Sequence, residues 1–373
     1  MNLMKQPNVD RLFRDLVHGR VDRRDVMGFA ATAGLAFAAM PTTRARAASD
    51  MVTYYTWGGY DIPELYQPFI AKYGEPDTAP FGGTEEALAK IRAGYEPDVA
   101  HPCLEDMRIW YDANVLAPVD TSRVANWDSI FPQMRDAGDV SFDGDYYMVP
   151  FDWGNSSILY RTDLVEVEEE SWCMLFDERY EGKIAARNSI ANVRAAALCL
   201  GFDMFTPTDE QLGGPIADLL RVQRGLVPFY WDDQTSGEQA VATGEAVMMY
   251  AWNSAVVELK KQGLPIAYAN PKEGRWTWMC GMVRVVSGQA DEQMQYDFID
   301  AMLAPETGKW LIENYGYGHA NSESFKIADP TTLDELGLND PIAVFERGIF
   351  LAAGDPDTEA KMVELFDNVM AGF

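Results

Sequence analysis

The 373-residue chain carries 58 acidic side chains against 30 basic ones, a net charge of −28, with ordinary apolar (47%) and charged (24%) fractions. Such a charge excludes a protein whose main work is gripping nucleic-acid phosphates, and it weighs against docking on anionic lipid. The length suffices for two domains, each with its own core, and the acidic surface draws cations toward its clefts.

The first 47 residues read as a leader rather than as part of the fold. A polar stretch with Lys5, Arg11, Arg14 and Arg20 leads to the pair Arg23-Arg24. A mild, Ala- and Gly-rich apolar run over 26–40 follows, and "ARAAS" offers an A-x-A cleavage site after Ala47. Twin arginines before a weakly apolar segment resemble a twin-arginine export signal, and Arg44 and Arg46 disfavour the general secretory route. The alternative is an uncleaved amphipathic helix. Cleavage would remove eight basic and four acidic residues, leaving −28 − 4 = −32. The mature protein is then expected to be soluble, monomeric and periplasmic. All four cysteines (Cys103, Cys173, Cys199, Cys280) lie in that part, where disulfides are permitted in any of three pairings. His101 and His319 sit at no metal-ligand spacing, so no metal site is expected.

Short apolar strands then alternate with amphipathic helices, the pattern of an α/β protein. "MVTYYTW" predicts a strand, and "PELYQPFIAKYG" a helix with Pro63 in its first turn. "EEALAKIRAG" predicts a helix, "PDVAHP" a short strand, and "MRIWYDANVLAPVD" a helix with its exit. "GDYYMVPFDWGNSSILYR" has strand composition on both sides of Asp152-Trp153-Gly154, as expected of a chain crossing between lobes. Further on, "EQAVATGEAVMMYAWNSAVVELKKQG" predicts helix, strand, helix, and "IAYANPKEGRWTWMCGMVRVV" two strands about a Pro/Gly turn. The C-terminal third is mostly helical.

The tryptophans divide into two sets. Trp110, Trp172 and Trp310 belong to apolar helical patterns and are expected in the core. Trp57, Trp153, Trp231, Trp252 and Trp278 stand at predicted strand ends or turns, in "TWGGY", "DWGNS", "YWDDQ", "AWNSA" and "TWMCG", and Tyr317 is similar in "NYGYGHANS". Ligands of open α/β sheets bind beyond the carboxyl ends of the strands, and ring faces there attract cations. A shared aromatic cleft is the expectation.

These segments resemble the bacterial periplasmic spermidine/putrescine-binding proteins, the substrate-binding components of ABC importers. The likeness covers most of residues 52–325 and includes "PFDWG", "ESW" with "YEGKI", "TGEAVMMYAWNSA" and "PKEGRWTWM". It implies a two-lobed, type II-like binding fold with a hinge of crossing strands, lobe 1 being 52–154 plus 279–325 and lobe 2 being 155–278 plus 326–373. It also implies separate permease and ATPase subunits as partners. Trp57, Tyr60, Trp252, Trp278 and Tyr317 match the family's aromatic site residues. The family's carboxylates do not carry over: Ser189, Asn192 and Cys280 stand at those positions. Glu105 replaces a family tyrosine and Cys103 a small polar residue.

An aromatic box without carboxylates suits a quaternary ammonium or sulfonium zwitterion of betaine or dimethylsulfoniopropionate type, which has no N–H to satisfy. Ser189, Asn192 and Arg187 would then meet its carboxylate. The competing reading keeps a polyamine and relocates the acids to Glu105, Asp152, Asp232 or Asp233. An exported enzyme is the remaining class. It has little behind it: the sequence has no G-x-S-x-G, Walker loop, dinucleotide fingerprint or H-E-x-x-H, so neither catalytic residues nor a cofactor are expected.

Overall fold

The computed structural model describes residues 51–372; the leader over 1–47 falls outside them. Strands appear in the order β1 (Thr53–Trp57), β2 (Asp77–Phe81), β3 (Val99–Ala100), β4 (Leu116–Ala117) and a small hairpin, β5 (Ser141–Phe142) and β6 (Asp145–Tyr146). They continue with β7 (Val149–Arg161), β8 (Ile184–Arg187), β9 (Tyr230–Trp231), β10 (Met248–Trp252), β11 (Ile266–Tyr268), β12 (Trp276–Val285), β13 (Gly318–His319) and β14 (Ile349–Phe350).

One sheet runs β2-β1-β3-β12-β7-β10-β8-β9. Its ends are parallel: β1 pairs β2 and β3, and β8 pairs β10 and β9. Its middle is the long antiparallel pair of β7 and β12, running from Trp276 opposite Ser156 to Met282 opposite Val149 with a register shift between Cys280 and Gly281. Each of these strands therefore belongs to both halves of the sheet, as the sequence suggests. Twelve of the thirteen residues of β7 are buried. Such a strand has both faces covered and cannot show a simple polar–apolar alternation.

The local chemistry explains most boundaries. Pro63 opens a 3-10 turn, Pro63–Leu65, rather than one continuous helix, and the α-helix proper spans Gln67–Tyr73. The helix Gln234–Thr243 begins where the Asp233 carboxylate accepts the Thr235 N–H and stops at Gly244, which has φ 78°. In the core, Trp172 stacks on Trp276 with centroids 4.2 Å apart, and Trp110 is buried. Trp310 is only half-buried, packed edge-on against Tyr315 at 5.2 Å.

Two predicted turn positions are corrected by the register. Trp153 lies inside β7 and Trp278 inside β12, both buried, whereas Trp231 ends β9 as expected and is buried too. Of the three cysteine pairings, the structure makes Cys103–Cys280 and Cys173–Cys199.

Candidate functional site: an aromatic cleft at the crossing strands

β1 ends in the turn Trp57-Gly58-Gly59-Tyr60, closed by the Tyr60 N–H on the Trp57 carbonyl at 3.2 Å. Gly59 has φ 91°, a conformation that side chains with a Cβ resist. The turn leaves Trp57 half-buried against Phe81 and directs Tyr60 inward. The Tyr60 ring lies parallel to Tyr317, at 11° and 6.4 Å, and Tyr317 meets Trp278 edge-on at 4.9 Å. Three of the family-matching aromatics thus form one continuous wall.

Trp278 owes its place to a glycine. It faces Gly154 across the crossing strands, and a Cβ on Gly154 would come within 2.4 Å of the indole Cζ2 and 2.6 Å of Asn253 Oδ1. Gly154→Ala is therefore expected to cost roughly 1–3 kcal/mol in urea unfolding and to shift tryptophan fluorescence. An unchanged midpoint would show that this contact is loose.

A second aromatic group stands on the far half of the sheet. Trp252 ends β10, its edge toward Trp231 at 5.8 Å. The Arg187 guanidinium lies over the Trp252 ring at 5.0 Å. Trp231 is a supporting wall: a Cβ on Gly237 would touch its Nε1 at 3.2 Å, so that edge packs into the helix behind. The Trp252 N–H donates to Gln234 Oε1 at 2.7 Å, Gln234 Nε2 donates to Ser254 Oγ at 2.9 Å, and Ser254 Oγ meets the Tyr317 hydroxyl at 2.8 Å. This chain of polar contacts ties the second group to the first.

The polar candidates fall in different places. Asn192 is buried and spends its amide on the Arg187 carbonyl at 2.6 Å and the Ser189 carbonyl at 3.0 Å. Ser189 Oγ accepts the Ala191 N–H at 3.3 Å. Both residues shape the turn that presents Arg187. Trp153 points into the core, packed edge-on against Phe345 at 5.4 Å, and a Cβ on Gly318 would strike its indole at 2.0 Å. A cavity of about 680 Å³ is lined by Trp153, Asn155, Tyr268, Arg275 and Gly348 and by none of the cage rings.

Cys103 and Cys280 join the loop after β3 to the crossing strand β12, two residues beyond Trp278. The bridge anchors the 3-10 turn Leu104–Asp106, which carries Glu105. Glu105 is half-buried, and its Oε2 is buried without a hydrogen-bond partner among the described residues. Burial pushes its carboxyl up to about 7, against the opposing pull of Arg194 and Arg187.

Asp152, one of the candidate relocated acids, lies inside β7. It is fully buried, accepts the Tyr60 hydroxyl at 2.5 Å and contacts His101 Nε2 at 3.0 Å. His101 Nδ1 in turn meets Thr56 Oγ1 at 3.1 Å and the Tyr54 hydroxyl at 3.3 Å. This network locks the Tyr60 ring. His101, Asp152 and Cys280 have ligand atoms within 4.8 Å of one another, but the Cys280 sulfur is bonded to Cys103 and cannot serve a metal. Sequence reasoning left His101, Gln234 and Ser254 unassigned; a histidine before Pro102 at a strand end was the available signal for the first.

The comparisons agree with this architecture. Residues 79–336 match the family described as bacterial extracellular solute-binding protein. The spermidine/putrescine-binding periplasmic protein of Salmonella typhimurium is 21% identical over 308 residues, spanning 80% of this chain and 86% of the relative. The putrescine/agmatine-binding protein of Pseudomonas aeruginosa is 23% identical over 309 residues, spanning 76% and 82%. A putative spermidine/putrescine ABC transporter structure from Listeria monocytogenes superposes with a TM-score of 0.75 at 22% identity, covering 86% of this chain and 99% of that one. The architecture is the two-lobed fold of periplasmic binding proteins, and its relatives are solute binders rather than enzymes. The chain belongs to the bacterial extracellular solute-binding protein family.

Proposed function

We propose that the cleft between Trp57, Tyr60, Trp278 and Tyr317 on one side and Trp252 on the other captures a small organic amine. The chain would deliver it to an ABC permease driven by an ATPase subunit, in the periplasm, after export through the twin-arginine-type leader. Lobes of 52–154 plus 279–325 and 155–278 plus 326–373 would close over the ligand by bending β7 and β12.

Glu105 carries this reading. Its unpartnered, buried Oε2 is an acceptor that calls for an N–H donor. A protonated amine supplies one; a quaternary ammonium or sulfonium does not. That argument moves the preference away from betaine-like solutes and toward the amines for which the relatives are named. Of the other relocated acids, Asp232 takes the Asn188 amide at 2.9 Å and Asp233 caps its helix, and both are exposed, so neither presents a buried, unsatisfied acceptor as Glu105 does. Asp152 acts from beneath, through the Tyr60 hydroxyl.

Trp57→Ala tests the ring wall. Affinity for amine is expected to fall at least about tenfold, since a desolvated cation–ring contact is worth up to roughly 2 kcal/mol. Thermal unfolding should hardly move, because Trp57 is half-buried at a strand end. A saturable fluorescence change at one ligand per protein supports the reading. Unaltered affinity in the variant would make Trp57 mere cover for Phe81.

A further inference from the structure

Arg187 ends β8 and is held by its backbone, paired in register with Trp231 and accepting the Asn192 amide at 2.6 Å. Its guanidinium is half-buried over Trp252 and makes no ion pair among the described residues. The neighbouring charges are committed elsewhere. Arg194 takes Glu359 at 2.5 Å, Asp232 takes Asn188, and Asp233 takes its helix N-terminus. Glu105 acts on Arg187 through space, and its Oε2 has no hydrogen-bond partner among the described residues.

The cleft therefore offers two opposite charges with no ion-pair partner among the described residues: the Glu105 carboxylate and, over Trp252, the planar, fork-shaped donor of Arg187, which also meets the Tyr250 hydroxyl. A protonated diamine satisfies the first and is repelled by the other, since it has N–H donors only and the same sign as Arg187. The cation face of Trp252 is also already taken by that guanidinium. A carboxylate, by contrast, matches a guanidinium with two parallel hydrogen bonds.

We propose that Arg187 receives a ligand carboxylate, so that the substrate class is a short amino-carboxylate with its ammonium at Glu105 and its carboxylate over Trp252. This rests on the amine cleft argued above and narrows it. Asn192 and Ser189 are then positioning residues for Arg187 rather than ligand contacts.

The test is calorimetric titration of the leader-free protein with two matched series of equal chain lengths, α,ω-diamines and ω-amino acids, putrescine and γ-aminobutyrate among them. An amino acid is expected to bind at least about tenfold more tightly than the diamine of its length. Arg187→Gln should abolish that preference without lowering diamine affinity, and Arg187→Lys should keep part of it; thermal unfolding of both variants checks the fold. Tighter diamine binding that Arg187→Gln leaves unchanged overturns the carboxylate assignment and leaves the amine cleft standing. If no member of either series binds, both fall.

Discussion

Glu105→Gln is expected to weaken amine binding by roughly 10- to 150-fold, the equivalent of about 1.5–3 kcal/mol for one charge-assisted hydrogen bond. The same change should leave thermal stability unaltered or slightly higher. The reason is the direction of the carboxyl's shift. Burial holds it near 7, with Asp106, itself raised by burial and held by Thr84 at 2.5 Å, on the same turn. Arg187, Arg194 and Glu359 face it from the other side. With the folded value above the ordinary one of about 4.5, the unfolded chain binds fewer protons between those limits, so stability declines as pH rises through that window. Glutamine removes the decline.

The same shift sets the pH dependence of binding. An ammonium pairs with the ionised carboxylate, so affinity should be flat above about pH 7 and fall about tenfold for each unit below it. At pH values on the falling limb, binding should release close to one proton, read from calorimetry in buffers of different ionisation heat. In Glu105→Gln the limb should vanish. A wild-type profile that is level through this range would remove Glu105 from the site.

Replacing Cys103 and Cys280 together by alanine should cost roughly 3–5 kcal/mol of stability, and more than removing Cys173–Cys199. The first bridge spans 177 residues and the second 26, so the first restricts the unfolded chain more. The effect should also reach the ligand. Cys103 precedes the turn of Glu105, Cys280 follows Trp278 by two residues, and the Gly281 N–H donates to the Pro102 carbonyl at 3.1 Å across the same junction. Losing the bridge frees both sides of the cleft's first wall, so weaker binding is expected at temperatures where the double variant remains folded. Equal losses for the two bridges, or intact affinity in the folded variant, would reduce Cys103–Cys280 to a distant staple.

How much of this was legible in the sequence depended on how local the deciding contact was. The turn at Gly58-Gly59 could be read because glycines and aromatics state it within four residues. Tyr317 and Trp278 could be placed through family likeness, and the crossing strands through their composition. Trp153 could not. Its direction is set by register between β7 and β12, by Phe345 nearly two hundred residues away and by the space that Gly318 leaves. Trp231 stands at a strand end as expected, but its burial could not be read, since it is set by a glycine on the following helix. Cysteine connectivity likewise needed the fold. The charges were the least legible: Asp152 looked available until Tyr60 and His101 closed on it, and Glu105 and Arg187 acquire meaning only when β3 and β8 are brought to one cleft.

The most direct test is a crystal structure of the leader-free protein with the tightest-binding amine from those titrations. The amine nitrogen should lie within hydrogen-bond distance of Glu105 Oε2, with the ligand between Trp57, Trp278 and Tyr317 on one side and Trp252 on the other. A ligand seated in the cavity beside Trp153 and Arg275, with Glu105 untouched, would contradict the account.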